Sequence, residues 1–192
     1  MKMALYTFNR TLRDSSGNGK AIVTAPLNIS VAALPQVTFG AWVKAVSLSN
    51  PEYGIISNDD GNFDRSLDID NRDAATGANW SAFVGNNVVG KVPAAKGRWV
   101  FLAVSFDQSS SPGRYALYVN DGSRTTVLRG ADAFDGNSVT SGVTIGRNHS
   151  YDQPFDGEVA NAFFYRGILT GAQIKKIIAK GPSAIPGYRK LR

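Results

Sequence analysis

Few side chains in this chain could act as nucleophiles or as acid–base groups. The sequence has no cysteine, one histidine and two glutamates, Glu52 and Glu158. His149 stands in a loop rich in Gly, Asn and Asp, and the sequence offers no triad around it. Asp68 and Asp70 share one face of a predicted strand because alternate strand residues do, which is how a glycosidase could hold its carboxylate pair. So poor a set of reactive groups predicts a protein that is not an enzyme.

Aromatic and polar side chains offer a better case for ligand binding. Trp80 follows a polar loop, and rings at a loop rim stack on sugars while Asn and Asp side chains bond sugar hydroxyls. The candidate ligand-binding residues are Trp80, Tyr53, Tyr151, Asn148 and Asp152. The alternative is that Trp80 begins a strand and packs beneath the loop. The sequence leaves both arrangements open.

Positive charge is concentrated at the C-terminal end. The chain has 21 Lys and Arg against 15 Asp and Glu, a formal net charge of +6. Six of the 21 lie in the last 18 positions without an acid among them, which leaves 15 basic against 15 acidic residues over positions 1 to 174. Because a nucleic-acid reader carries a basic face on its folded body, this neutral body predicts no nucleic-acid partner.

The last residues, 183–192, are predicted to form an extended basic tail behind a domain that spans 1–182. The segment contains Pro186 and Gly187 and shows no periodicity. Apolar residues are interleaved there with basic ones, which suits docking on an acidic neighbour. The candidate docking residues are Ile185, Tyr188, Arg189, Lys190, Leu191 and Arg192. The alternative is that the tail folds back on its own domain.

The elements that must position these groups are mostly strands. Runs rich in β-branched and aromatic residues, separated by turns of Gly, Asn and Asp, predict strands. They are placed at 37–43, 53–57, 66–70, 81–85, 97–106, 115–119, 125–128, 142–145 and 157–165. Asn120-Asp121-Gly122 between two alternating runs predicts a hairpin. Thr170 and Gln173 form a capping box ahead of an isoleucine face, which predicts one helix over 170–180.

Length and strand spacing together predict the fold. At 192 residues the chain is long enough for one domain with a sizeable core. Many short strands with one late helix predict an all-β fold, a two-sheet antiparallel jelly-roll sandwich with one short C-terminal helix. The predicted core contains Trp42, Trp99, Phe101, Val104, Val119 and Ile145. No apolar run reaches the ~20 residues of a membrane span, so we expect a soluble protein with no signal peptide and no membrane partner.

The order of several segments resembles the laminin-G-like (LamG-like) jelly rolls of the concanavalin A-like lectin and glucanase family. The segments are, in chain order, LYTF from position 5, DSSGNG from 14, FGAWV from 39, RWVFLAVSFD from 98, ALYVNDG from 116, IGR from 145, FDGEV from 155 and YRGILT from 165. The resemblance covers residues 5 to about 178, nearly the whole chain. The resemblance implies the same concanavalin A-like sandwich.

The resemblance also implies a metal site. Relatives often hold one structural calcium ion between such an Asp-Ser-Ser-Gly-Asn turn and the closing strand, which would place it at Asp14, Gly17 and Asn18. The acidic residue usual on the closing strand is Ala160 here, followed by Asn161. We therefore expect at most one calcium ion and no required cofactor. The alternative is a simple turn stabilised by Asx hydrogen bonds.

Three functions follow from these observations. The first is a non-catalytic recognition or structural module in a larger assembly, such as a phage virion accessory or decoration protein that binds neighbouring subunits or surface glycans. The second is a lectin-like carbohydrate-binding domain. The third, a glycoside hydrolase, is remote, because glucanases of this fold carry glutamates on either side of an aspartate in one strand, and the segment from Leu67 to Asn71 has none.

Overall fold

Short runs of alternating apolar residues build most of this chain into strands. A computed structural model describes residues 5–8, 23–59, 65–84, 87–132, 142–148 and 153–188. The strands are β1 (Leu5–Phe8), β2 (Val23–Ala25), β3 (Gln36–Ala45), β4 (Glu52–Ser57), β5 (Ser66–Asp70), β6 (Asn79–Val84), β7 (Asn87–Pro93), β8 (Val100–Asp107), β9 (Gly113–Asn120), β10 (Thr125–Asp132), β11 (Val143–Ile145), β12 (Arg147–Asn148), β13 (Gln153–Pro154) and β14 (Gly157–Arg166). Helix α1 (Gly171–Lys180) and a 3-10 turn at Pro182–Ala184 follow.

The described strands form two sheets. One has six strands in the order β1-β14-β3-β8-β9-β10. The other has eight, with the order β12-β13-β4-β5-β6-β7, while β11 pairs with β4 and with β2. Neighbouring strands are antiparallel except at one point, where Pro154 of β13 pairs in parallel with Gly54 of β4. The predicted all-β jelly-roll sandwich with one short C-terminal helix is confirmed.

The hairpin predicted at Asn120-Asp121-Gly122 joins β9 to β10. Asn120 pairs with Thr125, and the ladder continues to Gly113 opposite Asp132. The Asp121 carboxylate accepts hydrogen bonds from the backbone amides of Ser123 and Arg124, both at 3.0 Å. Gly122 has φ of 92°, a conformation that favours glycine, so turn chemistry and structure agree.

The main core lies between the two sheets. In β8 the side chains of Val100, Leu102, Val104 and Phe106 all belong to it and are almost fully buried. Phe39 of β3 packs with its ring centroid 5.9 Å from those of Phe106 and Phe164. Burial of these side chains removes apolar surface from water and supplies the main stabilisation of the sandwich.

A second apolar cluster lies on the outer face of the six-stranded sheet, beneath α1. Phe101 and Ala103 of β8 belong to it, together with Ile174 and Ile177 of the helix. This strand is therefore buried on both faces, as its continuous apolar run predicts. The capping box is present, because Thr170 and Gln173 exchange side-chain to backbone hydrogen bonds. Among the described residues, no helix is long and apolar enough to cross a membrane.

The prediction that Trp42 and Trp99 belong to the main core is wrong. Trp99 is 40% exposed, because the chain still turns at Gly97, with φ of 81°, and β8 begins only at Val100. Trp42 is half-buried on the outer face and meets Phe101 edge-on, with 4.8 Å between ring centroids. The other predicted core residues are buried as expected: Phe101, Val104, Val119 and Ile145.

The first part of the predicted docking tail folds back onto the domain. Ile185 is 2% exposed and belongs to the cluster beneath α1, and Tyr188 packs against that cluster. Ile185 is therefore not free to dock on a neighbour, because its side chain is already covered by its own domain, whereas Tyr188 is only partly buried and its docking role stays a prediction. Arg189, Lys190, Leu191 and Arg192 lie outside the described residues, and their role stays a prediction.

Candidate functional site

Buried polar side chains line the outward side of the eight-stranded sheet. In β5 and β6, Leu67, Ile69, Trp80 and Ala82 belong to the core between the sheets. The residues that alternate with them must face the other way. They are Ser66, Asp68, Asp70, Asn79 and Ser81, which we call the polar face, and all five are at most 5% exposed. Burial of so many polar groups outside the core is unusual and marks the face as a candidate site.

Asp68 lies at the centre of the polar face. It pairs in register with Ser81 and is fully buried. The Ser66 hydroxyl donates a hydrogen bond to its Oδ2, whereas Oδ1 has no partner among the described residues. Burial, and then the nearby charge of Glu52, raises the pKa of Asp68 well above its usual value. The protonated form of this carboxyl is therefore favoured here.

Asp70, two residues further along β5, is held in the opposite charge state. Burial raises its pKa, but the hydrogen bonds and charge of Arg72 outweigh that effect and bring the pKa below its usual value. Arg72 donates from Nε to Oδ1 at 2.9 Å and from Nη2 to Oδ2 at 3.1 Å. This two-point contact fixes the guanidinium plane at the edge of the face.

The Arg72 side chain connects Asp70 to two further groups. Its Nη1 is 3.6 Å from Oε2 of Glu52 in the neighbouring strand β4. Its guanidinium carbon is 5.1 Å from the centre of the half-buried Phe83 ring. Burial raises the pKa of Glu52, and the charge of Arg72 offsets part of that rise. A planar cation, two carboxylates and an aromatic ring thus meet in one place, which we call the Arg72 cluster.

The short strands β12 and β13 approach the same cluster from the other side. Gln153 donates from Nε2 to Oε2 of Glu52 at 2.7 Å. Asn148 donates from Nδ2 to Oδ2 of Asp59 at 3.3 Å. β12 passes so close to Gly54 that an added Cβ would lie 2.1 Å from the Asn148 backbone nitrogen. Gly54 is therefore required for these strands to reach the polar face.

Solvent reaches this region along the edge made by Arg72, Asp73 and Lys91. Their side chains are 49%, 40% and 42% exposed. Behind them, the carboxylates of Glu52 and Asp70 are only 11% and 6% exposed. The arrangement places the exposed donors Arg72 and Lys91 and the exposed acceptor Asp73 in front of the acceptors Glu52 and Asp70 on neighbouring strands, which suits hydrogen bonding to a ligand rich in hydroxyls.

The predicted rim residues take different places. Trp80 and Tyr53 are each 1% exposed and belong to the main core. This corrects the expectation that they line a rim, because neither ring face is open to stack on a sugar. Asn148 is 3% exposed and donates a hydrogen bond to Asp59, so its side chain does not line an open rim either. Tyr151 and Asp152 lie outside the described residues.

The predicted calcium site lies largely outside the described residues. Asp14, Gly17 and Asn18 lie outside them. On the closing strand, Ala160 has no side-chain oxygen, although Asn161 beside it turns the backbone to φ of 51°. The described residues contain no group of three or more His, Cys, Asp or Glu side chains placed to hold a metal. They therefore do not fit a calcium site by themselves, and calcium binding stays a prediction.

Sequence reasoning missed Arg72 and Phe83 as site residues. The available signal was in the alternation of two neighbouring strands, Ser-Leu-Asp-Ile-Asp in β5 and Asn-Trp-Ser-Ala-Phe in β6. Polar residues alternate with apolar ones in both, and this alternation places Asp68 and Asp70 on one face together with Asn79 and Ser81. Asp68 is fully buried, so its carboxyl cannot touch a substrate in this structure.

Comparison with known proteins supports this architecture. A family model described as the concanavalin A-like lectin/glucanases superfamily matches residues 16–175. Among solved structures, domain 4 of AbnA, an extracellular GH43 arabinanase from Geobacillus stearothermophilus in complex with arabinotriose, is similar with a TM-score of 0.54 and 19% identity. That alignment covers 91% of this chain and 87% of the other. A search of curated proteins found no match.

The binding domain of botulinum neurotoxin DC is also similar. Its complex with SialylT aligns with a TM-score of 0.58 and 12% identity over 92% of this chain. Its complex with rat synaptotagmin II aligns with a TM-score of 0.56 and 12% identity over 96%. This chain spans about half of those domains, 46% and 47%. At such identities the structures establish the fold, and the family match establishes the membership: the chain belongs to the concanavalin A-like lectin/glucanase superfamily.

Proposed function

We propose that this chain is a non-catalytic, lectin-like module that binds carbohydrate at the Arg72 cluster. The observation that carries the proposal is the fixed contact of Arg72 with Asp70 and Glu52 beside the Phe83 ring. Carboxylates and a guanidinium held in one orientation can bond several sugar hydroxyls at little cost in ordering. A nearby ring adds an apolar contact for the C–H face of a sugar.

Two further points support a carbohydrate ligand. The strands hold the acceptors of Asp70 and Glu52 almost buried, so hydrogen bonds to them form in a poorly hydrated environment. Domain 4 of AbnA, which aligns over 87% of its own chain, is described in complex with arabinotriose, and this supports a sugar ligand for a sandwich of this shape. Both signs of charge are present at the cluster, which favours neutral or mixed polar ligands over simple anions or cations.

Catalysis is not part of the proposal. A glycosidase needs one protonated and one ionised carboxyl on either side of the bond that is cleaved. Asp68 and Asp70 have such opposed pKa directions, but the protonated partner is fully buried. A substrate therefore cannot reach Asp68 without opening of the face. A place in a larger assembly, such as a virion, stays a separate prediction.

Binding to an immobilised glycan panel tests the proposal. The panel includes arabinotriose, SialylT, and neutral hexose oligosaccharides as probes. We expect at least one of these glycans to bind, and Arg72→Gln and the double variant Asp70→Asn/Arg72→Gln to lose that binding while thermal melting shows a folded protein. The matched control is Arg98→Gln/Asp121→Asn, which removes an exposed ion pair of 3.5 Å far along the chain and should leave binding unchanged. An equal loss of glycan binding in the Asp70/Arg72 and Arg98/Asp121 double variants would count against the proposal. So would a wild-type protein that binds no glycan of the panel.

A further inference from the structure

A groove lies on the opposite side of the sandwich, between the outer face of β9 and β10 and the start of α1. It consists of two adjoining cavities of about 490 and 350 Å³, which share Tyr118, Arg129 and Gly171. The helix covers Phe101 of β8 and Phe163 of β14, but it leaves the side of the sheet that carries β10 accessible. Cavities of this size are typical of ligand sites rather than of packing defects.

The floor of the groove is largely apolar. It is formed by Ala116 and Tyr118 of β9, Val127 of β10 and Ile174 of α1. Ala116, Tyr118 and Ile174 also belong to the cluster beneath the helix, so the floor is a continuation of a packed core. A rigid apolar floor of this kind can hold an aliphatic or aromatic side chain.

The borders of the groove are positively charged. Arg114, Arg129 and Lys175 line it and are all exposed. In the part of the chain that the structure describes, the ion pairs involve Lys44, Arg72, Lys91 and Arg98, and none involves these three cations.

One acidic residue, Asp107, also lines the groove and lies opposite Arg114 in the β8–β9 ladder. Hydrogen bonds from Ser109 and Gln36 and the charge of Arg114 lower the pKa of Asp107, so its negative charge offsets Arg114 and leaves Arg129 and Lys175 as the cations available to a partner. The first turn of α1 carries no acidic residue. Arg129 lies over the Tyr118 ring at 5.9 Å from its centre, which holds one cation above the floor.

We propose that this groove binds an acidic, extended segment of a partner protein. An acidic peptide can place carboxylates against Arg129 and Lys175 and also insert an apolar side chain between Val127 and Ile174. A nucleic acid or a sulfated glycan offers the charge but no aliphatic side chain for the floor. A flat lipid surface cannot enter a groove bordered by a helix. The exposed Lys176 and Lys180 on the same helix add long-range attraction for such a partner.

This proposal is independent of carbohydrate binding, because the groove and the Arg72 cluster lie on opposite sheets. The test begins with selection of a phage-displayed library of random octapeptides against the full chain. We expect enrichment of sequences with Asp or Glu on both sides of one apolar residue. The enriched peptide is then synthesised, and its affinity is measured by fluorescence anisotropy for the wild type and variants. Arg129→Gln/Lys175→Gln should weaken binding about tenfold, as expected for two charge contacts at a partly exposed site.

Matched variants separate groove binding from general electrostatic attraction. Lys176→Gln/Lys180→Gln removes the same charge from residues that do not line the groove, and should weaken binding less than about threefold. Ala172→Trp fills the groove at an exposed helix position without changing the charge, and should abolish binding. Equal weakening in both charge doubles, full binding by Ala172→Trp, or selection without acidic enrichment would each overturn the proposal. Competition by heparin or a single-stranded oligonucleotide that equals the peptide in affinity would overturn the choice of a peptide.

Discussion

Asp68 and Asp70 are identical side chains on one strand, but their pKa values shift in opposite directions. Both lie on the polar face, but Asp70 has the guanidinium of Arg72 against both of its oxygens. Asp68 has one hydroxyl donor and the repulsion of Glu52. The difference in pKa direction therefore comes from one neighbouring cation and not from depth alone, since desolvation raises the pKa of both.

We predict that Asp68 makes the protein less stable as the pH rises. Its folded pKa lies above the unfolded value, so between the two values the folded state binds more protons than the unfolded state. Stability contributed by this group is then present at acidic pH and is lost as the pH rises from about 4 through the folded pKa. Asp68→Asn removes this dependence. In urea denaturation from pH 4.5 to 8, the free energy of unfolding of the variant should increase relative to that of the wild type as the pH rises.

Asp121→Asn is the control for that series. The pKa of Asp121 is lowered, first by the backbone amide of Arg124, so its stabilising effect is present at neutral pH and is lost as the pH falls. Over pH 4.5 to 8 its difference from the wild type should stay nearly constant. A constant difference for Asp68→Asn as well would show that its carboxyl is already ionised in the folded state.

The two aromatic neighbours Trp99 and Phe101 should differ sharply in their contribution to stability. Phe101 is 2% exposed and stacks with Phe163, so Phe101→Ala should cost about 3 to 5 kcal/mol. Trp99 is 40% exposed, and its replacement by Ala should cost well under half of that. Chemical denaturation of both variants measures the difference. Similar losses would mean that Trp99 is buried in solution.

At the residue scale, burial was predicted for residues that lie within an observed strand and was wrong for one that precedes its strand. Val104, Val119 and Ile145 lie within β8, β9 and β11 and are buried as expected. Trp99 precedes its strand by one residue, and only the turn at Gly97 decides where the strand begins. The burial of Trp80 and Tyr53 depends on which face of the second sheet turns inward, which a single strand's alternation does not reveal.

At the element scale, α1 and the residues after it act as one covering unit. Ile174, Ile177 and Ile185 belong to the same cluster on the outer face of the six-stranded sheet. Gly181, with φ of 77°, ends the helix and redirects the chain. Its amide donates to the Ile177 carbonyl at 2.8 Å, and the Ile185 amide donates to Pro182 at 3.0 Å. The segment 181–188 is thus held by backbone bonds as well as by apolar contact.

Ile185→Ala should therefore destabilise the domain. The side chain is 2% exposed, and removing it leaves a cavity beneath α1 that costs about 2 to 5 kcal/mol. The matched control is Ser183→Ala in the same segment, an exposed residue whose replacement should change stability by less than about 0.5 kcal/mol. Thermal melting compares the two. Unchanged melting of Ile185→Ala would restore the interpretation of this segment as a free tail.

Elements with regular alternation were predictable, and so were β4 and β14, although each has a shift in its pairing register. β3, β5, β8, β9 and α1 follow from their periodicity and caps. β7 was missed because Gly90, with φ of 88°, interrupts its alternation, and the register shifts between Ser81 and Ala82 on its partner. β12 and β13 are two residues each, so no pattern in the sequence marks them. These two strands nevertheless bring Asn148 and Gln153 to the site.

On the scale of the whole molecule, the sandwich separates two surfaces of different chemistry. The eight-stranded sheet presents the polar face and the Arg72 cluster, where charges of both signs are paired. The six-stranded sheet presents a groove bordered by Arg114, Arg129 and Lys175 and covered in part by α1. Because the core lies between them, the two proposed sites can be tested independently of each other.

The order of segments predicted this architecture, but not the position of the Arg72 cluster. Spacing of strands, turns and one late helix is set by the topology of the sandwich, so it is visible along the chain. The Arg72 cluster depends on contacts between side chains of β4, β5, β6 and β13 and the residue two positions after β5. These side chains belong to positions 52, 70, 83, 153 and 72, which are far apart along the chain. Such contacts arise only when the sheet is assembled.

Mapping of a bound glycan on the folded chain tests the central claim most directly. Amide proton and nitrogen chemical shifts are recorded while the wild-type protein is titrated with whichever panel glycan binds it most tightly. The account predicts shifts that concentrate in β4, β5 and β6 around Arg72 and Phe83, and that vanish in Arg72→Gln. Shifts that concentrate instead on the groove beside α1, or that persist in Arg72→Gln, would contradict it.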